Sequence, residues 1–158
     1  MRKQASIVVA ITFAIALLQG CNQEAETAAK VQADIAKAEA DGQKKIIDAQ
    51  AKLDQVVAQN NKTLVGVRAD AQKDAADKPA EAADADIVKA RSEAEIKVAD
   101  AQYEVDKAKA AAARQVAEAR CEALALDAKN DCMSRAKTDY ASATATAKAK
   151  NDAVHAAH

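Results

Sequence analysis

The chain has 158 residues, of which 50% are hydrophobic and 30% are charged, and its 23 basic and 24 acidic side chains leave a net charge of −1. This balance excludes the basic face of a nucleic-acid-binding protein and predicts weak charge-driven binding to anionic lipid. Aromatic residues make up only 2%, and alanine dominates the apolar residues. Because alanine favours helix strongly but buries little surface, we expect long helices without a large compact core. A largely disordered tether is the alternative that low hydrophobicity permits.

The start of the chain has the pattern of a bacterial lipoprotein signal. Arg2 and Lys3 precede an apolar run over residues 5–18, which is followed by Gly20 and Cys21 in the sequence Leu-Gln-Gly-Cys. A positive start, an apolar stretch of roughly 7–15 residues and a small residue before the cut define a secretory signal. A membrane-spanning helix needs about 20 apolar residues, so this run is too short to be one. The cysteine stands where the lipobox of bacterial lipoproteins has its acylated cysteine.

The resemblance to bacterial lipoproteins implies removal of residues 1–20, a diacylglycerol thioether on Cys21 and acylation of the new amino terminus. Buried acyl chains contribute about 0.8 kcal/mol for each CH₂, and several chains anchor far better than one. Lipoproteins that stay in the inner membrane often have aspartate after the cysteine, whereas this chain has Asn22. We therefore expect a lipid-anchored protein on the periplasmic face of the outer membrane, with residues 21–27 as a short tether.

A first long helix is predicted over residues 28–77. In its middle, apolar residues recur at steps of three and four, the a/d pattern of a helix that packs against another. The predicted seam consists of Ile46, Ala49, Leu53, Val56, Asn60, Thr63 and Val67. Asn60 either specifies the register of an oligomer or is a weak point of the helix, and the neighbouring Gln59 and Asn61 favour the second interpretation.

Pro79 divides the chain. Proline lacks an N–H and disfavours helix at the preceding residue, Lys78, but it is compatible with the first turn of a new helix. The segment 80–140 is therefore predicted to hold a second helix, to about Ala123, and a cysteine hairpin. The seam of this helix consists of Ile87, Ala94, Val98, Ala101, Val105, Ala108 and Ala112. Because alanine dominates this seam, any packing against it has to be close.

Cys121 and Cys132 are the second specific feature of the sequence. In one continuous helix their Cα atoms would be about 16.5 Å apart, whereas a disulfide requires roughly 4.4–6.8 Å. A bond between them therefore requires the chain to turn back. Cysteines of exported proteins usually pair, and the lipoprotein resemblance assigns Cys21 to lipid. We predict a disulfide-clipped αα-hairpin in which Asp127 is the N-cap of the following helix.

Residues 141–158 alternate alanine with Ser, Thr and Lys and are predicted to be a low-complexity tail that frays. The two histidines of the chain, His155 and His158, lie in this tail. Together with the two cysteines they form a conceivable zinc-ligand set, so a metal site and free thiols are the alternatives to the disulfide. An oxidising compartment and a frayed end both favour the disulfide.

Two segments carry a further resemblance. Residues 101–107 follow the pattern Ala-x-Tyr-x-Val-x-Lys, and residues 121–132 follow Cys-[Asp/Glu]-Ala-Leu-x-Gly-[Asp/Asn]-Ala-Lys-x-x-Cys, with Leu126 in place of the glycine. Over roughly residues 99–140 the chain resembles a group of alanine-rich envelope proteins that have no established activity. Such proteins are often labelled similar to the TolA envelope protein, but that likeness rests on helix composition alone. The resemblance therefore supplies no function.

The sequence as a whole predicts an all-α, elongated fold. We expect two long helices, hinged near Lys78 and Pro79, with a coiled-coil or helical-hairpin tendency, followed by the short disulfide-clipped αα-hairpin. An enzyme is not expected, since the sequence has no Gly-rich phosphate loop, no HExxH motif and no recognisable nucleophile–base set. We therefore assign no catalytic residue, no metal ligand and no cofactor.

The function expected from these features is that of a structural or scaffold protein of the cell envelope. The alternative is an amphipathic-helix stress-protective module that binds membranes or client proteins, against which stand the few large apolar residues and the lack of aromatic anchors. The expected partners are the membrane, through acylated Cys21, and either a second copy of this chain or another envelope protein. Nucleic acid is not an expected partner.

Overall fold

The structure, a computed structural model, describes residues 22–74 and 80–158. These residues form three long helices: α1 (Asn22–Asp74), α2 (Ala80–Cys121) and α3 (Leu126–Ala156). No strand occurs in the two described ranges. The predicted all-α, elongated fold class is confirmed, with one more long helix than expected. The predicted lipidation site Cys21 and the predicted break at Lys78 and Pro79 lie outside the described residues.

The structure differs from the sequence-based expectation at both ends of the helical region. Residues 22–27 belong to α1 instead of forming a tether, and residues 141–156 continue α3 instead of fraying. Alanine sustains the helix there by its intrinsic propensity, and the hydroxyl of Thr146 donates a hydrogen bond of 2.9 Å to the carbonyl of Ser142. Ala147 is buried within this segment, so tertiary packing adds to the propensity.

Helix α2 lies between α1 and α3 and is antiparallel to both. Arg120 near the end of α2 pairs with Glu39 in the first half of α1, with 3.6 Å between the charged atoms. On the other side, the guanidinium of Arg114 lies 5.3 Å from the ring centroid of Tyr140 in α3. In the described part of the chain, α1 and α3 have no Cα atoms within 8 Å of each other. The three helices therefore form a single layer in which α2 separates α1 from α3.

The central position of α2 explains why its alanines are not confined to one seam. Successive residues of a helix are rotated by about 100°, so Ala94, Val105 and Ala112 share one face, as the predicted seam requires, and the structure turns this face toward α1. Ala110 and Cys121 lie on the opposite face, toward α3. All five are buried, and Val105 and Cys121 have no exposed surface. A helix with two buried faces needs small side chains on both faces. The predicted seam covered only one of these faces and did not include Ala110 and Cys121.

Helices α1 and α2 approach each other closely at Gly42. A Cβ atom placed on Gly42 would lie 2.7 Å from the Cβ of Ala112 and 3.3 Å from its Cα. Both distances are shorter than an ordinary van der Waals contact between carbon atoms. The lack of a side chain at Gly42 therefore allows the two helix backbones to approach this closely.

Asn60 fixes the register between α1 and α2. Its side chain is 8% exposed, and its Nδ2 donates a hydrogen bond of 2.9 Å to the carbonyl oxygen of Ala94. The register that it specifies is thus between two helices of one chain. The neighbouring seam position differs from the prediction: Thr63 is exposed and donates to the carbonyl of Gln59 at 3.0 Å, while Leu64 is half-buried in its place.

We expect Asn60→Ala to lower the free energy of unfolding by about 0.5–1.5 kcal/mol, the usual net contribution of a hydrogen bond. Chemical denaturation measured by circular dichroism would show this as a lower midpoint with an unchanged slope. Gln59→Ala is the matched control, because Gln59 is an exposed amide on the same turn. Equal midpoints for the two variants would contradict the role of Asn60 in the register.

Candidate functional site

The turn between α2 and α3 is closed by a disulfide, as predicted. Cys121 and Cys132 are bonded, and their Cα atoms are 5.6 Å apart. Cys121 is fully buried, whereas Cys132 is half-buried. The chain turns back in the four residues 122–125, where the N–H of Leu124 donates to the carbonyl of Cys121 at 3.1 Å. The disulfide therefore holds the end of α2 against the first turns of α3.

The start of α3 differs from the prediction. The N-cap residue is Ala125, which has an extended backbone and makes no side-chain cap hydrogen bond. Asp127 lies in the first turn of α3 and is not its N-cap. A carboxylate in the first turn still interacts favourably with the positive end of the helix dipole. Across the hairpin, Lys129 Nζ lies 2.5 Å from a carboxylate oxygen of Glu122, and the tip exposes Leu124 and Leu126.

The other end of α3 is attached to α2 by polar contacts that the sequence did not indicate. Oδ1 of Asp100 in α2 accepts hydrogen bonds from Nδ2 of Asn151 at 3.0 Å and from Nε2 of His155 at 2.8 Å. These hydrogen bonds, that of His155 foremost, hold the pKa of Asp100 below its ordinary value of 3.8. Because the partners are more than fifty residues apart in the chain, no local motif could have revealed them.

His158 makes a similar contact one turn further along. Its Nε2 lies 3.0 Å from Oε2 of Glu95. The hydrogen bond from Arg91 to Glu95, 2.9 Å long, is the main reason why the pKa of Glu95 is lowered, and His158 adds to it. Both histidines thus pair with carboxylates of α2.

The histidines are far from the cysteines. His155 follows Cys132 by 23 residues in one continuous helix, which separates them by about 35 Å at 1.5 Å per residue. The alternative zinc-ligand set of two histidines and two cysteines is therefore incompatible with the structure. In residues 22–74 and 80–158, no three His, Cys, Asp or Glu side chains are grouped in a way that would hold a metal ion.

We expect the contact of Asp100 with α3 to be sensitive to acid. A carboxyl whose pKa is lower in the folded state than in the unfolded state contributes stability that is complete above the unfolded pKa, here about 3.8, and is lost as the pH falls through the lower folded value. An NMR titration should therefore find the Asp100 midpoint below 3.8, and His155→Ala should raise that midpoint toward 3.8. A midpoint unchanged by His155→Ala would show that the imidazole does not interact with this carboxylate in solution.

An apolar groove lies on one side of the helical layer, next to the end of α3. We use the name apolar groove for this concavity, which has a volume of about 820 Å³. Helix α1 and the end of α3 form its two walls, and α2 forms its floor. Its apolar lining consists mainly of Val57, Leu64, Ile87, Val88, Val98 and Val154. Val88 is 67% exposed, so the groove presents apolar surface to solvent, and it is suited to contact with another apolar surface.

No family model, curated protein or solved structure matches this chain. None of the helices in the described residues is long and apolar enough to cross a membrane. The sequence predicted the cysteine pair of the hairpin, which the structure contains. It did not predict the Gly42–Ala112 contact, the pairing of Asp100 with His155 or the apolar groove.

Proposed function

We propose that this chain is a lipid-anchored structural protein of the cell envelope, held on the periplasmic face of the outer membrane by acylated Cys21. The observation that carries the proposal is the Leu-Gln-Gly-Cys motif at residues 18–21, which immediately precedes a long helical region. The disulfide between Cys121 and Cys132 supports it, because such bonds persist in oxidising compartments such as the periplasm.

The shape of the molecule suits a spacer or scaffold. Helix α1 has 53 residues, which corresponds to a length of about 80 Å at 1.5 Å per residue. Its amino end directly follows the proposed anchor, so the rod can extend far from the membrane surface. Side-by-side packing with α2 stiffens this rod, since the buried residues Leu53 and Asn60 lie on the one face of α1 that contacts α2.

The lipid anchor is tested by metabolic labelling. The full chain, expressed with its own amino-terminal segment in a Gram-negative host, should incorporate an alkyne analogue of palmitate and fractionate with the outer membrane. Cys21→Ser should abolish both labelling and membrane association. The matched control is the double variant Cys121→Ala/Cys132→Ala, which should keep the label. Labelling that persists in Cys21→Ser, or that is absent from the unaltered chain, would refute the anchor.

The structural role is tested against the stress-protective alternative. A module that folds on contact needs an apolar face to be available, whereas the main apolar seam of α1 packs on α2. We therefore expect far-UV circular dichroism of the purified chain to show strong helix that vesicles of mixed zwitterionic and anionic lipid leave unchanged. A large gain of helix on adding vesicles, together with protection of a heat-aggregating client, would favour the alternative.

A further inference from the structure

The two sides of α1 that flank its seam differ in character. The side away from the apolar groove has alternating charges at Asp41, Lys45, Asp48, Lys52 and Asp70. The side toward the groove is largely uncharged, and we call it the α1 side face. It consists of Gln50, Asp54, Val57, Ala58, Asn61, Leu64, Val65, Arg68 and Gln72. Apart from the half-buried Leu64, all of these residues are exposed, and Val65 is 65% exposed. Contact with α2 and α3 therefore leaves this face unoccupied.

The α1 side face is nearly palindromic about Asn61. Val57 and Val65 lie four residues before and after Asn61, and Asp54 and Arg68 lie seven residues before and after it. Further out, Gln50 and Gln72 each lie eleven residues away. Steps of four, seven and eleven residues stay on one face of an α-helix. The paired residues therefore lie symmetrically about Asn61 on the surface of α1 as well as in the sequence.

We infer that the α1 side face binds a second copy of this chain, with the two α1 helices antiparallel across a two-fold axis at Asn61. In a two-fold interface each patch contacts its own copy, so residues equally far before and after the axis face each other. Asp54 of one copy then faces Arg68 of the second copy, and this pair occurs twice. Val57 likewise faces Val65 of the second copy, and the two Asn61 amides meet at the axis, where each can donate to the other.

The charges in each copy are available for this pairing. Arg68 has no ion pair within the described residues, and Asp54 accepts only a hydrogen bond of 3.1 Å from the neutral amide of Gln50. A parallel arrangement in register would place like charges opposite each other, which is unfavourable. Charge complementarity thus selects the antiparallel arrangement.

The surface is large enough for a stable dimer. From residue 47 to residue 72 it is about 38 Å long, and with α2 beside α1 it is about 20 Å wide, which is on the order of 760 Å². A specific interface buries roughly 800 Å² on each partner. Ile47, which is 56% exposed, and Val88 of α2, at the edge of the apolar groove, extend the apolar part of the surface.

Sedimentation equilibrium of the full chain in density-matched detergent tests the dimer. The expected result is twice the mass that mass spectrometry gives for one purified chain, with Val65→Glu reducing association by at least about tenfold. Gln59→Glu, which places the same charge on the opposite side of α1, is the matched control and should leave the dimer intact. A monomer at micromolar concentrations, or a dimer equally stable in both variants, would overturn the inference. Circular dichroism shows whether each variant is folded.

Charge exchange tests the antiparallel register. Asp54→Arg and Arg68→Asp should each weaken the dimer, because each places two pairs of like charges together, and the double variant should restore it. Asp48→Arg on the opposite side should have no effect. Failure of the double variant to recover association, while both single variants weaken it, would overturn the register.

Disulfide cross-linking tests the position of the axis in the anchored protein in cells. Asn61→Cys should form a covalent dimer under mild oxidation, and Gln59→Cys should not. Cross-linking through Cys21, which would follow from failure of the proposed anchor, would appear equally in both variants and would disappear when Cys21→Ser is added. Equal cross-linking that persists in the Cys21→Ser background would overturn the axis at Asn61.

Discussion

Gly42→Ala should destabilise the protein by about 1–3 kcal/mol, the usual cost of overpacking a tight contact. The added Cβ would lie 2.7 Å from the Cβ of Ala112, and neither atom belongs to a side chain that can rotate away. Helices α1 and α2 must therefore separate locally. The loss is expected even though alanine favours helix over glycine by about 1 kcal/mol, because relieving the clash disturbs the packing of the neighbouring seam residues.

Gly66→Ala is the matched control for this prediction. A Cβ atom on Gly66 meets nothing within 4 Å, so the substitution should stabilise the protein by about 0.5–1 kcal/mol through helix propensity alone. Thermal unfolding of the two variants should consequently shift in opposite directions. Ala112→Gly added to Gly42→Ala should recover part of the loss, since it removes the clashing atom. Stabilisation by both glycine substitutions would show that α1 and α2 do not approach closely in solution.

Loss of the disulfide between Cys121 and Cys132 should lower the free energy of unfolding by roughly 2–3 kcal/mol, the range expected for closing so short a loop. The effect should concentrate on α3, which packs on α2 alone among the helices of residues 22–74 and 80–158. Hydrogen exchange should therefore find weakened amide protection in α3, while the amides around Leu53 and Val105 in the α1–α2 seam stay protected.

Unfolding with and without reductant distinguishes the contribution of the disulfide bond to stability from that of the cysteine side chains. Unfolding of the unaltered chain should shift to a lower temperature on reduction, whereas Cys121→Ala/Cys132→Ala should start lower and show no further shift. If reduction left the unfolding temperature of the unaltered chain unchanged, the bond would not contribute to stability. Weakened protection in α1 and α3 alike would contradict the layered arrangement, in which α3 packs on one side of α2 only.

Some of the fold could be predicted because it depends on local properties. Alanine-rich segments without proline favour helix, and the two glycines of α1 are too few to outweigh this preference, so an all-α chain could be predicted from composition. The hairpin between Cys121 and Cys132 followed from distance, since a helix keeps two residues eleven positions apart too far from each other for a bond. The extension of α3 through residues 141–156 could not be predicted, because low-complexity sequence is also typical of frayed ends and the burial of Ala147 depends on tertiary packing.

The helical class, the cysteine pair and the α1 seam around Leu53 follow from the sequence alone. The tertiary structure sets which alanines are buried, because alanine on every side of α2 leaves no unique period from which a single seam could be predicted. It also sets the hydrogen bond from Asn60 to the carbonyl of Ala94, the contact of Gly42 with Ala112 and the hydrogen bond of His155 to Asp100. Each of these contacts joins residues far apart in the chain and depends on the antiparallel register of the helices. Local propensity does not encode that register; the small and polar side chains that meet across the layer select it.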